Sequence, residues 1–139
     1  MPMSYRIDSD SETVIVVAEG VTTQAQRIQV VAGWLKDPAF RPGLDTFCDF
    51  SAGESTPTLT QLRELIALAC QHAAAIGRSR VAILTSKPIL FGVARVFEAL
   101  AELEGTTLDV KVFFDRTLAW AWLRPGGHTS PGTSSEKSL

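Results

Sequence analysis

Side chains that do covalent or metal chemistry are scarce in this sequence. Only 2 cysteines and 2 histidines occur in 139 residues. Cys48 and Cys70 sit in apolar segments, with no CxxC spacing and no histidine pair nearby. They read as free buried thiols rather than metal ligands or a disulfide framework. His72 falls late in a helical segment and His128 close to the last residue. Neither joins a serine and a carboxylate into a nucleophilic triad, so a hydrolase is the least expected class. An excess of charge is also missing. The formal net charge is -2, and the lysines and arginines are scattered along the chain. Duplex binding needs many phosphate-neutralising cations on one face, so nucleic acid is not an expected partner. No apolar run approaches the roughly 20 residues that cross a bilayer. Met1 to Asp10 is polar and strand-like rather than a charged-then-apolar leader, and the expected location is the cytoplasm. No Gly-rich phosphate loop occurs, and no cofactor or metal is expected.

What is present is an ordinary globular composition, 45% hydrophobic and 20% charged, in a length that closes one hydrophobic core. Tyr5 to Asp8 alternates and Thr13 to Ala18 is β-branched and apolar, with turn residues Ser9 to Glu12 between them. This pattern predicts a hairpin with an exposed first strand and a buried second one. After Gly20, Thr23 and Gln26 form a capping box. The helix it opens has Ile28, Val31 and Leu35 at inward spacing and ends at Pro38. Asp45 to Phe50 is a strand, and a Ser/Thr/Gly/Pro loop runs to Pro57. Thr58 caps a helix with Leu62, Leu65, Ile66, Ala69 and Ala73 inward, which Gly77 ends. Arg80 to Leu84 is a buried strand. The next helix begins near Pro88 with Val93, Val96, Phe97, Leu100 and Leu103 inward, and stops at Gly105. Leu108 to Phe114 is the last strand, and Asp115 caps a closing helix with Leu118, Trp122 and Leu123 inward. Residues 125–139 are rich in Ser, Thr, Pro and Gly and are expected to be a disordered tail. The domain is 1–124. The order ββαβαβαβα predicts an α/β fold with a mixed, mainly parallel five-stranded sheet, an N-terminal β-hairpin and four helices.

Several stretches carry a resemblance. Asp37-Pro38-Ala39-Phe40-Arg41-Pro42-Gly43 leads into a strand ending at Asp49. Phe91-Gly92-Val93-Ala94-Arg95 is followed by Phe97-Glu98, and Val112-Phe113-Phe114-Asp115 runs on to Trp122-Leu123. With the element order, these resemble the SpoIIAA-like, STAS-type fold shared by the anti-sigma-factor antagonists. The match is closer to small bacterial single-domain proteins described as SpoIIAA-like or STAS/SEC14-type, which have no assigned activity. The resemblance implies a binding or regulatory module. The phosphorylated antagonists carry Asp-Ser-Ser-Gly after the strand before the second crossover helix. Here that place reads Asp49-Phe50-Ser51-Ala52-Gly53-Glu54-Ser55-Thr56-Pro57-Thr58, without the motif.

In open parallel sheets ligands gather beyond the carboxyl ends of the strands, where helix N-termini present free N–H groups. The loops meeting there contribute Asp49, Ser51, Lys87, Phe91 and Arg95 as candidate ligand- or partner-binding residues, with Arg116 nearby. Each has a plain alternative. Asp49 can orient a ligand or accept from Arg95, or simply cap its own turn. Phe91 and Arg95 share a helix face; they form a pocket wall with a cation, or a core-closing ring and an ion pair with Glu98. Lys87 precedes a helix N-terminus that favours anions, or belongs to a solvated turn. Ser51, Ser55 and Thr58 are candidate phospho-acceptors, or ordinary loop hydroxyls with no base beside them. Trp120 and Trp122 cannot both face inward on one helix, so one of them marks a surface. The expected function is a non-enzymatic module recognising a protein partner or a small, lipid-like ligand at the C-terminal edge of the sheet. The second reading is a phosphorylation-controlled switch in the Ser51–Thr58 loop. The exposed first strand and a surplus tryptophan also suit a homodimer.

Overall fold

The computed structural model describes residues 2–124; the tail expected over 125–139 lies outside them. Strand β1 (Met3–Asp8) pairs antiparallel with β2 (Thr13–Gly20). The turn between them is held by the Asp8 carboxylate, which accepts from the Ser11 amide at 2.8 Å and its hydroxyl at 2.7 Å. Helix α1 (Gln24–Lys36) follows, then β3 (Asp45–Gly53), helices α2 (Leu59–Gln71) and α3 (Ala73–Ile76), β4 (Ser79–Leu84), α4 (Pro88–Leu103), β5 (Leu108–Phe113) and α5 (Arg116–Leu123). From β2 onward all neighbours are parallel, and the sheet order is β1-β2-β3-β4-β5. The expected α/β class and mixed sheet are observed.

The helix count is five rather than four. The second crossover helix breaks at His72, whose φ of -111° and ψ of 24° leave the helical region. The short α3 that follows drives Ile76 into the core and ends at Gly77, which takes a φ of 68°. Both threonine caps form as the sequence predicts. Thr23 and Thr58 each accept from the amide three residues on, while Gln26 and Gln61 reach back to the cap amides.

Strand order explains the layering. Right-handed crossovers between strands that advance steadily in one direction put every crossover helix on the same face. So α1, α2, α3 and α4 share one face, and α5, which is not a crossover, packs on the other. Strand alternation then sorts the side chains. Val14, Val16, Ala18, Val81, Ile83, Val110 and Val112 face the four-helix layer. Ile15, Phe47, Ala82 and Leu84 face α5, where Phe47 stacks on Trp120 at 4.6 Å between ring centroids.

Some inward faces are rotated from expectation. On α1 the buried residues are Arg27, Val30 and Trp34, and Ile28 is exposed. On α4 they are Leu90, Ala94, Leu100 and Ala101, while Val96 and Leu103 are exposed. On α5 Ala119, Trp120 and Leu123 are buried and Leu118 is exposed. Helices this rich in alanine and valine offer several apolar stripes, and the packing angle selects among them.

Candidate functional site

The two clusters of apolar side chains on the four-helix face meet through Cys48, Phe50 and Leu108. Between them lies a cavity of about 210 Å³. Its floor is the sheet, through Val16, Thr46, Cys48, Phe50 and Ile83, and its roof is Val30, Trp34, Leu62, Ala94 and Phe97 from α1, α2 and α4. Helix α2 packs beside α4 and α3 rather than close against a strand, which leaves this room open. The wall is largely apolar, with the Thr46 and Ser79 hydroxyls near the N-terminal ends of β3 and β4 and Thr85 just after β4. Thr22, Arg27 and Ser55 lie at the end reached by the C-termini of β2 and β3.

Arg27 is the only charged residue buried among those described, at 8% exposure. Its Nη1 donates to Gln24 Oε1 at 3.0 Å and its Nη2 to the Thr22 carbonyl at 3.2 Å. Burial lowers its pKa from the ordinary arginine value, yet a guanidinium stays charged at any physiological pH. Cys48 points into the same space from the centre of the sheet. Burial, with the Asp49 charge beside it, pushes this thiol up to about 12, so it stays protonated and unreactive at neutral pH.

The C-terminal edge next to this polar end is knitted together by loop-to-loop hydrogen bonds. The Glu54 amide donates to the Gly20 carbonyl at 2.8 Å. The Ser55 hydroxyl donates to the Thr22 carbonyl at 3.0 Å and accepts from the Thr22 amide. Lys87 Nζ donates to the Gly53 carbonyl at 2.8 Å, and Ser86 Oγ donates to the Ser51 carbonyl at 2.6 Å. These bonds hold the loops after β2, β3 and β4 in one arrangement.

The residues singled out from the sequence divide into separate places. Asp49 lies on the α5 face, because strand alternation sends it opposite to Cys48. It accepts from Ser51 Oγ at 2.6 Å, from the Ser51 amide at 3.1 Å, and from Arg116 Nη2 at 2.8 Å. Burial alone raises this carboxyl, but the bonds from Ser51 and Arg116 and the Arg116 charge outweigh it and hold the pKa below the ordinary carboxylate value. Asp49 thus caps its own turn, and its cation is Arg116 rather than Arg95. Arg95 instead pairs with Glu98 at 3.3 Å on the open side of α4. Phe91 stacks on Phe114 at 4.3 Å and packs against the core cluster from its rim. Lys87 is the residue before α4, bonded to Gly53 as described. Of the candidate phospho-acceptors, Ser51 and Ser55 are engaged as above and Thr58 caps α2. Ser55 lines the cavity; Asp49, Ser51, Lys87, Phe91 and Arg95 lie outside its wall.

Sequence reading missed Arg27. Its signal in the sequence is weak, a cation one position before Ile28, because arginine is seldom buried. Trp120 is buried and Trp122 is half-buried against Phe113, with Arg80 Cζ 5.5 Å from its ring centroid. Among the described residues no cluster of histidine, cysteine and acidic side chains could hold a metal ion. No helix among them is long and apolar enough to cross a membrane.

No family model matches this chain, and no curated protein matches it. Among solved structures it is similar to an uncharacterized protein from the DUF3478 family, with a SpoIIAA-like fold, from Shewanella loihica. That likeness has a TM-score of 0.57 and 19% identity, and covers 87% of this chain and 93% of the other. Identity at this level speaks for architecture alone, and the architecture of this chain is the SpoIIAA-like fold.

Proposed function

We propose that this protein is a non-enzymatic binding module whose ligand is a small, largely apolar molecule held under α1, α2 and α4. The observation behind the reading is the 210 Å³ cavity and its largely apolar wall. An apolar cavity of roughly 150 Å³ in another protein stays dry and takes up benzene, so this one admits a ring or single chain of about six to eight carbons. A two-chain lipid is too large for it. Water gains little in such a space, because it needs two or more polar partners. The knitted loops at the C-terminal edge support the reading, since a preformed site loses little entropy on binding.

The test is titration of the protein with a neutral apolar probe, toluene, followed through methyl resonances. Saturable shifts confined to Val16, Leu62, Ile83 and their neighbours are expected. Shifts that stay linear with concentration, or that scatter over the surface, refute the reading.

A further inference from the structure

We propose that the ligand of this cavity is a single-chain carboxylate whose tail fills the apolar interior and whose head pairs with Arg27. The inference rests on the cavity being a binding site and adds the chemistry of its polar end. Three observations support it.

Arg27 lines the cavity and is more than nine-tenths buried. Among the described residues no carboxylate lies within ion-pairing distance of it; Arg6, Arg41, Arg95, Arg116 and Arg124 each have one, and Arg63, Arg78 and Arg80, which have none, are exposed to solvent. A buried cation without a counter-charge is strongly unfavourable, and a ligand anion would compensate it.

Its two hydrogen bonds go to neutral oxygens, Gln24 Oε1 and the Thr22 carbonyl. They use two of the five guanidinium N–H groups, and they orient the fork while leaving donors for a carboxylate, whose geometry the fork matches.

No acidic side chain occupies the first turn of α1. The nearest carboxylate there, Glu64 of α2, accepts from Gln24 Nε2 at 3.1 Å on the exposed side and does not pair with Arg27, so the positive end of the helix favours an anion within the cavity. The Thr22 and Ser55 side chains border the same end of the cavity; elsewhere the hydroxyls of Thr46, Ser79 and Thr85 interrupt an otherwise apolar wall, and Arg27 is its one charged group. One charged end and one apolar body describe an amphiphile with one negative group.

Octanoate and its uncharged partner, methyl octanoate, separate the head from the tail. Isothermal titration of the wild-type protein at pH 8 is expected to give octanoate at least a tenfold tighter Kd than the ester. Arg27→Gln should bring the two within about twofold, and Arg27→Lys should keep part of the preference. If the ester binds wild type as tightly as the acid, the anionic-head proposal is overturned and the apolar-cavity reading stands. A preference for octanoate that persists in Arg27→Gln overturns the assignment to Arg27. If neither probe nor toluene binds wild type, both readings fall together. The wild-type comparison needs no variant, so it decides even if Arg27→Gln does not fold.

Discussion

Filling the cavity should make the protein more stable and less able to bind. Ala94 is buried on α4 and lines the cavity wall. Ala94→Leu adds three carbons to a space that the surrounding side chains leave unfilled. Each buried methylene stabilises by about 0.8 kcal/mol, or about 2.4 kcal/mol in all. Freezing the leucine rotamers takes back about 0.5–1 kcal/mol, and helix propensity hardly changes between alanine and leucine. The net expectation is a gain of about 1.5–2 kcal/mol. For a domain of this size it corresponds to a rise in Tm of about 5–9 °C. Urea denaturation should show a higher midpoint with an unchanged slope. The same variant should lose most of its affinity for toluene and for octanoate. Overpacking a filled core instead costs about 1–3 kcal/mol. A fall of that size in Ala94→Leu would mean that the space is already occupied by side chains, and the cavity reading would be wrong. Ala69→Leu, on α2 and on the same wall, repeats the experiment from a second element and guards against a local clash at one site.

Other consequences follow from single groups. Cys70 is exposed, whereas Cys48 is pushed up to about 12 inside the cavity; a chromogenic disulfide reagent at pH 8 should therefore titrate one thiol quickly in the native protein and two in denaturant. Fast reaction of both native thiols contradicts the burial of Cys48. Asp49 has a folded pKa below its unfolded one, so its stabilisation is complete above the unfolded value, about pH 4, and is lost as pH falls through the lower folded value. Asp49→Asn should cost about 1–3 kcal/mol at neutral pH and flatten the acid limb of stability below about pH 4. An unchanged acid limb refutes a stabilising role for the Arg116 pair. Gly77 adopts a φ of +68°, and a Cβ there would lie 3.2 Å from the Gly43 amide nitrogen and 3.3 Å from Pro42 Cβ. Gly77→Ala should destabilise by at least about 1–2 kcal/mol, read by thermal melting; a neutral result would show that the α3–β4 turn relaxes freely.

Local chemistry determined much of this protein before any folding was considered. The capping boxes at Thr23 and Thr58, Pro88 at the start of α4, and the Asp115 cap depend only on residues within one turn of each other. The β-branched runs at 13–18 and 80–84 specify strands, and their alternation with helices specifies a mainly parallel α/β sheet with right-handed crossovers; the SpoIIAA-like character was legible only as a resemblance of the stretches at 37–43, 91–98 and 112–123. A scarcity of histidine and cysteine, with no paired constellation, is likewise a property of the chain alone.

The site was decided by tertiary structure. Helices with apolar residues on more than one side do not announce which stripe faces the core, so Ile28 was expected inward and is exposed, while packing buries Arg27 beside it. Asp49 and Cys48 are neighbours in sequence, yet the pleat sends one to Arg116 on the α5 face and the other into the cavity on the opposite face. Because the strand order never reverses, the sheet has no switch-point crevice at its carboxyl edge. The cavity lies beneath α2, where the helix makes few close approaches to the strands. A cavity is the space that side chains from distant segments fail to fill, and no stretch of sequence specifies that failure. It arises only when Val16, Cys48, Leu62, Ala94 and Phe97, spread over 82 positions of the chain, are brought to face one another.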